Sequence, residues 1–192
     1  MGPPCQFPEK HRRVPARCTE GEQDLVKPLD RRGQTQTSYQ QTRPMADPEK
    51  FSLEIKRFVS ASRDRIYAAW TDPAQLKEWF GPENVKTRDL VADVRVGGQF
   101  RWDCTDPEGN EVTITGEYRE LEAGRRIVFT WKHEGNEDWK NITSIVTVEF
   151  VDCEGGTEIH LTHEKLPTET SRDDHEQGWN SVFDRLGKFL NK

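Results

Sequence analysis

The chain has 192 residues and a formal net charge of −6, enough length for one domain of ordinary size and a tail. The charge is uneven: residues 1–44 carry eight Lys/Arg against five Asp/Glu, whereas residues 45–192 carry twenty against twenty-nine. An acidic body argues against a nucleic-acid partner, which needs clustered Lys/Arg for the phosphate backbone. No apolar run approaches membrane-span length and no apolar signal segment opens the chain, so neither membrane insertion nor secretion is expected.

Residues 1–44 are rich in Pro, Gln, Arg and Thr and lack helical or strand period, which predicts a disordered tail. Met45-Ala-Asp-Pro reads like an ordinary protein start, so the tail is either a non-native extension or a flexible one. Residues 45–192 then form the domain. Phe51, Leu53 and Ile55 alternate with polar residues and mark a first strand. Ser62 can cap a helix with Ile66, Ala69 and Trp70 on its apolar face. Asp72-Pro73-Ala74-Gln75 has the capping-box pattern of a second short helix, running to about Trp79 and stopped by Gly81-Pro82.

A strand meander follows. A weak strand spans Leu90 to Val94 and ends at Gly97-Gly98, and Phe100, Trp102 and Cys104 alternate inward on the next. After the turn Asp106–Asn110 come Val112, Ile114 and Tyr118, with Gly116 marking a bulge or a close approach. Ile127, Phe129 and Trp131 share the next inward face, then Val146, Val148 and Phe150, then Ile159, Leu161 and His163. Trp179, Val182, Phe183, Leu186, Phe189 and Leu190 fall three or four apart on a long helix from about Ser171 to Leu190. The expected fold is α+β: a curled antiparallel sheet of about seven strands around a long C-terminal helix, with two short helices after strand 1.

The order and spacing of several short pieces carry a family resemblance. They are Trp70-Thr71-Asp72-Pro73, Trp79-Phe80-Gly81-Pro82, Gly97-Gly98-Gln99-Phe100, Gly116-Glu117-Tyr118, Val128-Phe129-Thr130-Trp131, Gly156-Thr157 through His163, and His175-Glu176-Gln177-Gly178-Trp179. Residues from about 50 to 190 resemble the SRPBCC superfamily, and within it the group of the heat-shock-protein-90 ATPase activator homologue. The resemblance implies a helix-grip fold and, through its heat-shock namesake, a link to the stress response. It does not imply one activity, since the superfamily includes lipid carriers, hormone-binding proteins, cyclases and cochaperone domains. Residues 1–44 are too short and polar to supply the further N-terminal domain of the eukaryotic cochaperone.

A curled sheet gripping a helix tends to enclose a pocket. Phe100, Trp102, Tyr118, Phe129 and Trp131 are candidate ligand-lining residues on the inward strand faces, with Val148 and Leu161 beside them. His163, His175 and Trp179 complete the set. The two histidines could act as acid, base or ligand contact, or simply tether the last strand and the helix start. The neighbouring Glu164 and Glu176 turn away from that face by strand and helix period. Trp139, isolated in a polar loop, is either a lid contact or a loop anchor. No phosphate loop or nucleophile elbow is present, and Cys5, Cys18, Cys104 and Cys153 lack zinc spacing. They read as reduced thiols of a cytoplasmic protein. Neither a metal nor a cofactor is expected, and no catalytic residue can be named. The favoured partner is a small hydrophobic or aromatic ligand. The alternatives are a cochaperone-like protein-interaction domain with a protein partner, or a cyclase- or hydrolase-like enzyme using a cavity histidine.

Overall fold

The computed structural model describes residues 51–192, so the expectation for residues 1–44 lies outside the described part. Strand β1 (Leu53–Val59) is followed by helices α1 (Arg63–Thr71) and α2 (Pro73–Trp79), then β2 (Lys86–Ala92), β3 (Gln99–Thr105), β4 (Glu111–Glu122), β5 (Arg126–Glu134), β6 (Ser144–Cys153) and β7 (Gly156–Glu164). Helix α3 (Glu169–Leu190) closes the chain. The seven strands form one antiparallel sheet in the order β1-β7-β6-β5-β4-β3-β2. This is the curled α+β helix-grip architecture that the periodicities predict.

The helix starts follow from their caps. Ser62 accepts a hydrogen bond from the Arg65 amide, and Asp72 accepts from the Ala74 amide and from the Gln75 side chain. Thr168 caps α3 by accepting from the Ser171 amide, which starts the helix two residues before the sequence expectation. Its stripe of Trp179, Val182, Phe183, Leu186 and Leu190 is buried. The facing rows of the sheet are equally regular. Tyr118 lies opposite Phe129, Phe129 opposite Val146, Val146 opposite His163, and His163 opposite Leu53. One row therefore crosses five strands with every side chain on the face that meets α3.

Two local readings are sharpened by the structure. The weak strand is Lys86–Ala92 rather than Leu90–Val94, and Asp93 to Gly98 form a turn in which the Gly98 amide donates to the Arg95 carbonyl. A register shift between Thr87 and Asp89 breaks the alternation there, leaving Leu90 buried and Val91 exposed, so periodicity had little to follow. Gly116 is a close approach: a Cβ there would lie 1.9 Å from the Thr130 carbonyl oxygen and 2.3 Å from the Phe100 ring. The irregularity itself falls further on, between Tyr118 and Glu120.

Candidate functional site

The inward aromatic residues divide into two groups. Phe100, Tyr118 and Phe129 pack on one another at centroid distances of 5.6 to 6.2 Å. With Trp70, Leu76 and Leu90 they surround a void of about 20 Å³, room for one water at most. This group is core, and burial pushes the Tyr118 phenol up to about 12. Val148 and Leu161 are completely buried in the same core cluster, against neighbouring strands.

The second group walls a cleft. Trp102, Trp131, His175 and Trp179 line an opening of about 920 Å³, at the upper end of ordinary ligand pockets. Phe80 and His133 join them. The cleft lies between the β3–β4 hairpin, the end of β5, the segment joining α2 to β2, and the first half of α3. Trp131 is its hub: its ring centroid is 5.4 Å from that of Trp179, 6.3 Å from Trp102 and 6.3 Å from Phe80. Phe80 meets Trp102 edge to face at 5.4 Å. Gly81, at φ +102°, lets the chain pass the Trp102 ring, since a Cβ would lie 2.7 Å from it. Trp102 Nε1 donates to Thr87 Oγ1 at 3.1 Å. The buried Trp131 Nε1–H has no hydrogen-bond partner, an uncommon state for an indole out of water.

Behind this wall the histidines form a connected set. Trp179 Nε1–H donates to His163 Nδ1 at 3.2 Å. The His163 proton therefore sits on Nε2 and is donated to Ser144 Oγ at 2.8 Å. The hydroxyl donates in turn to the Trp131 carbonyl at 3.0 Å. Both ring nitrogens of His163 are occupied and the side chain is wholly buried, so it ties β7 to β5, β6 and α3 and does not reach the cleft. Desolvation, reinforced by His175 and His133, holds it far below the usual histidine range.

His175 Nδ1–H donates to the Ser171 carbonyl one turn back at 2.7 Å. Its Nε2 is then the acceptor facing His133 Nε2 at 3.3 Å, which makes His133 the donor. Burial lowers both, His133 to about 3 with a further push from His175. Trp139, in a 3-10 turn Glu137–Trp139, covers the pair with its ring at 4.5 Å from His133 and 5.3 Å from His175. It is buried, so of its two expected roles the structure shows the loop anchor. Cys104 is also buried in the cleft wall, which pushes its thiol up to about 11. Glu164 and Glu176 are exposed.

His133 and Phe80 are two aromatic lining residues that sequence reasoning passed over. The inward alternation Phe129, Trp131 continues to His133, which the register places opposite Ile114. Phe80 carries no periodic signal because it lies just past the end of α2. Among the described residues no group of three or more His, Cys, Asp or Glu side chains could hold a metal ion. Likewise, no helix among them is long and apolar enough to cross a membrane.

Comparison with known proteins agrees with this geometry. Residues 60–191 match the family described as Activator of Hsp90 ATPase homolog 1-like protein. No curated protein sequence matches significantly. Among solved structures, a protein from Chromobacterium violaceum superposes with a TM-score of 0.65 at 24% identity, covering 74% of this chain and 99% of its own. A putative uncharacterized protein from Rhizobium leguminosarum gives 0.63 at 26% identity, over 73% and 94%. An AHSA1 protein from Silicibacter pomeroyi gives 0.64 at 23% identity, over 73% and 98%. With the helix-grip order of elements and a family match over more than two thirds of its length, the chain belongs to the AHSA1 family of the SRPBCC superfamily.

Proposed function

We propose that the domain binds a small, mostly apolar molecule in the cleft between β3–β5 and the first half of α3. The observation that carries this reading is the open space of about 920 Å³ against the rings of Phe80, Trp102, Trp131 and Trp179. The family setting supports it too, because SRPBCC domains often bind small hydrophobic ligands. Among the lining candidates, Trp102, Trp131, His175 and Trp179 would touch the ligand, together with Phe80 and His133.

A cyclase- or hydrolase-like reading would need a free base. The Nδ1–H of His175 is held by Ser171 and its Nε2 lone pair by His133, so this pair serves better as a polar wall than as a proton acceptor. A docking face would need clustered exposed apolar side chains. Phe58 lies on edge strand β1, while Val91 and Val96 lie on or just past β2 at the opposite edge of the strand order. That arrangement weighs for the cleft.

Gly178→Leu tests the proposal. Gly178 lines the cleft, and a Cβ there would make ordinary van der Waals contact with Pro82 Cγ at 3.7 Å, so the backbone accepts a side chain that occupies the cleft. Leucine also favours a helix interior over glycine, by somewhat less than the ~0.8–1 kcal/mol that separates alanine from glycine. The expected result is unchanged or higher thermal stability, with tryptophan quenching by flat aromatic compounds abolished. Saturable quenching that survives in the variant would place the ligand elsewhere.

A further inference from the structure

The cleft has an unbalanced charge. Its lining includes the carboxylates of Glu83, Asp106, Glu108 and Asp174, and no lysine or arginine. These acids come from three separate elements: the segment after α2, the β3–β4 turn, and the first half of α3. Glu83, Glu108 and Asp174 are exposed and Asp106 is half-buried, so they form the rim, while the buried rings of Trp102, Trp131 and Trp179 form the floor.

Nearby cations do little to neutralise them. Lys188 pairs with Glu83 at 3.0 Å. Asp106 takes its hydrogen bonds from the neutral Asn110. Glu108 and Asp174 have no ion-pair partner among the described residues. Arg88 is engaged by Glu111, and Arg185 donates to the Gly81 and Glu78 carbonyls, and neither lines the cleft. His133 and His175 add no positive charge near neutral pH, because burial keeps both neutral.

Resting on the proposed ligand-binding reading, we infer that the cleft selects organic cations: molecules with an apolar or aromatic body and an ammonium or similar charge. Two independent features converge on this chemistry. The indole and phenyl faces of the floor attract cations through their quadrupoles. The rim, in which only Glu83 is paired with a cation, focuses a negative potential over the cleft, drawing in cations and repelling carboxylate ligands such as free fatty acids.

The test uses the full chain and three probes with one body: (2-naphthylmethyl)trimethylammonium, 2-naphthylmethanol and 2-naphthylacetate. Affinities are measured by isothermal titration calorimetry at pH 7.5 in low and high salt. The cation should bind at least about tenfold more tightly than the anion in low salt, with the alcohol between them, and the gap should narrow in high salt. In Glu108→Gln/Asp174→Asn the gap should fall to about threefold or less while the alcohol binds unchanged. Both positions are exposed, so the variant keeps the fold. Equal or tighter binding of the anion, or a preference that survives in the variant, overturns the inference and leaves the ligand-binding reading standing. Binding by none of the three overturns both.

Discussion

Acidification should loosen this fold through His163, and the size of the effect can be worked out in advance. In the folded protein the ring is wholly buried and held neutral by Trp179 as donor and Ser144 as acceptor. Its folded pKa is depressed, so its neutral form contributes stability that is fully present above the unfolded value of about 6.5 and is lost as pH falls below it. Between pH 7 and pH 5 an unfolded histidine takes up most of a proton that the folded ring refuses. That difference removes about 2 kcal/mol. His133, lowered to about 3, and His175 shift in the same direction and add their own losses over this interval. The carboxylates whose pKa is lowered by hydrogen bonds, Asp72, Asp103 and Asp106, act at more acidic pH and leave this window clear. Urea unfolding followed by tryptophan fluorescence would measure it, with a midpoint lower by about 1 M at pH 5 than at pH 7 for each 2 kcal/mol. His163→Gln supplies the control, because the amide can accept from Trp179 and donate to Ser144 without titrating. The variant should lose about 2 kcal/mol less than the wild type over the same interval. A flat wild-type midpoint, or parallel losses in both proteins, would refute the assigned tautomer and the neutral tether.

Two further outcomes concern packing. Phe183, almost fully buried in the middle of the α3 stripe, should cost about 3–5 kcal/mol on truncation to alanine. A near-wild-type denaturant midpoint would mean that the stripe is loosely seated. Gly116→Ala forces a methyl group against the Thr130 carbonyl and the Phe100 ring, so strand β4 must move away from its neighbours. The expected loss is about 1–3 kcal/mol or more, read as a lower melting temperature, and an unchanged melting curve would contradict the close approach.

The order of elements was legible because each one carries its own period. Leu53 and Ile55, Phe129 and Trp131, or Val146 and Val148 alternate on a two-residue repeat, while Trp179, Val182, Phe183 and Leu186 keep the helical repeat. Apolar burial dictates those patterns locally, so the fold class could be read without knowing which strands pair. The bounds of strand β2 escaped because an edge strand with an irregularity needs only one buried side chain, Leu90. The division of the aromatic residues into core and cleft was not legible. Phe100 and Trp102 are adjacent inward positions on one strand and look alike in sequence. One is closed in by Tyr118 and Phe129, while the other faces the opening beside Gly81.

The histidines show the same limit from the polar side. Periodicity placed His163 and His175 inward, and both are inward. Their chemistry depends on partners far away in sequence: Trp179 and Ser144 occupy both nitrogens of the first, while Ser171 and His133 occupy those of the second. A buried histidine with both nitrogens bonded is a structural link, and a half-buried one beside a cleft is a polar wall. The contrast extends to the indoles. Trp79, Trp102 and Trp179 have acceptors for their N–H groups within the protein, whereas the buried N–H groups of Trp70 and Trp131 have none. Which indole finds an acceptor is again set by partners distant in sequence, as Thr87 is for Trp102 and His163 for Trp179.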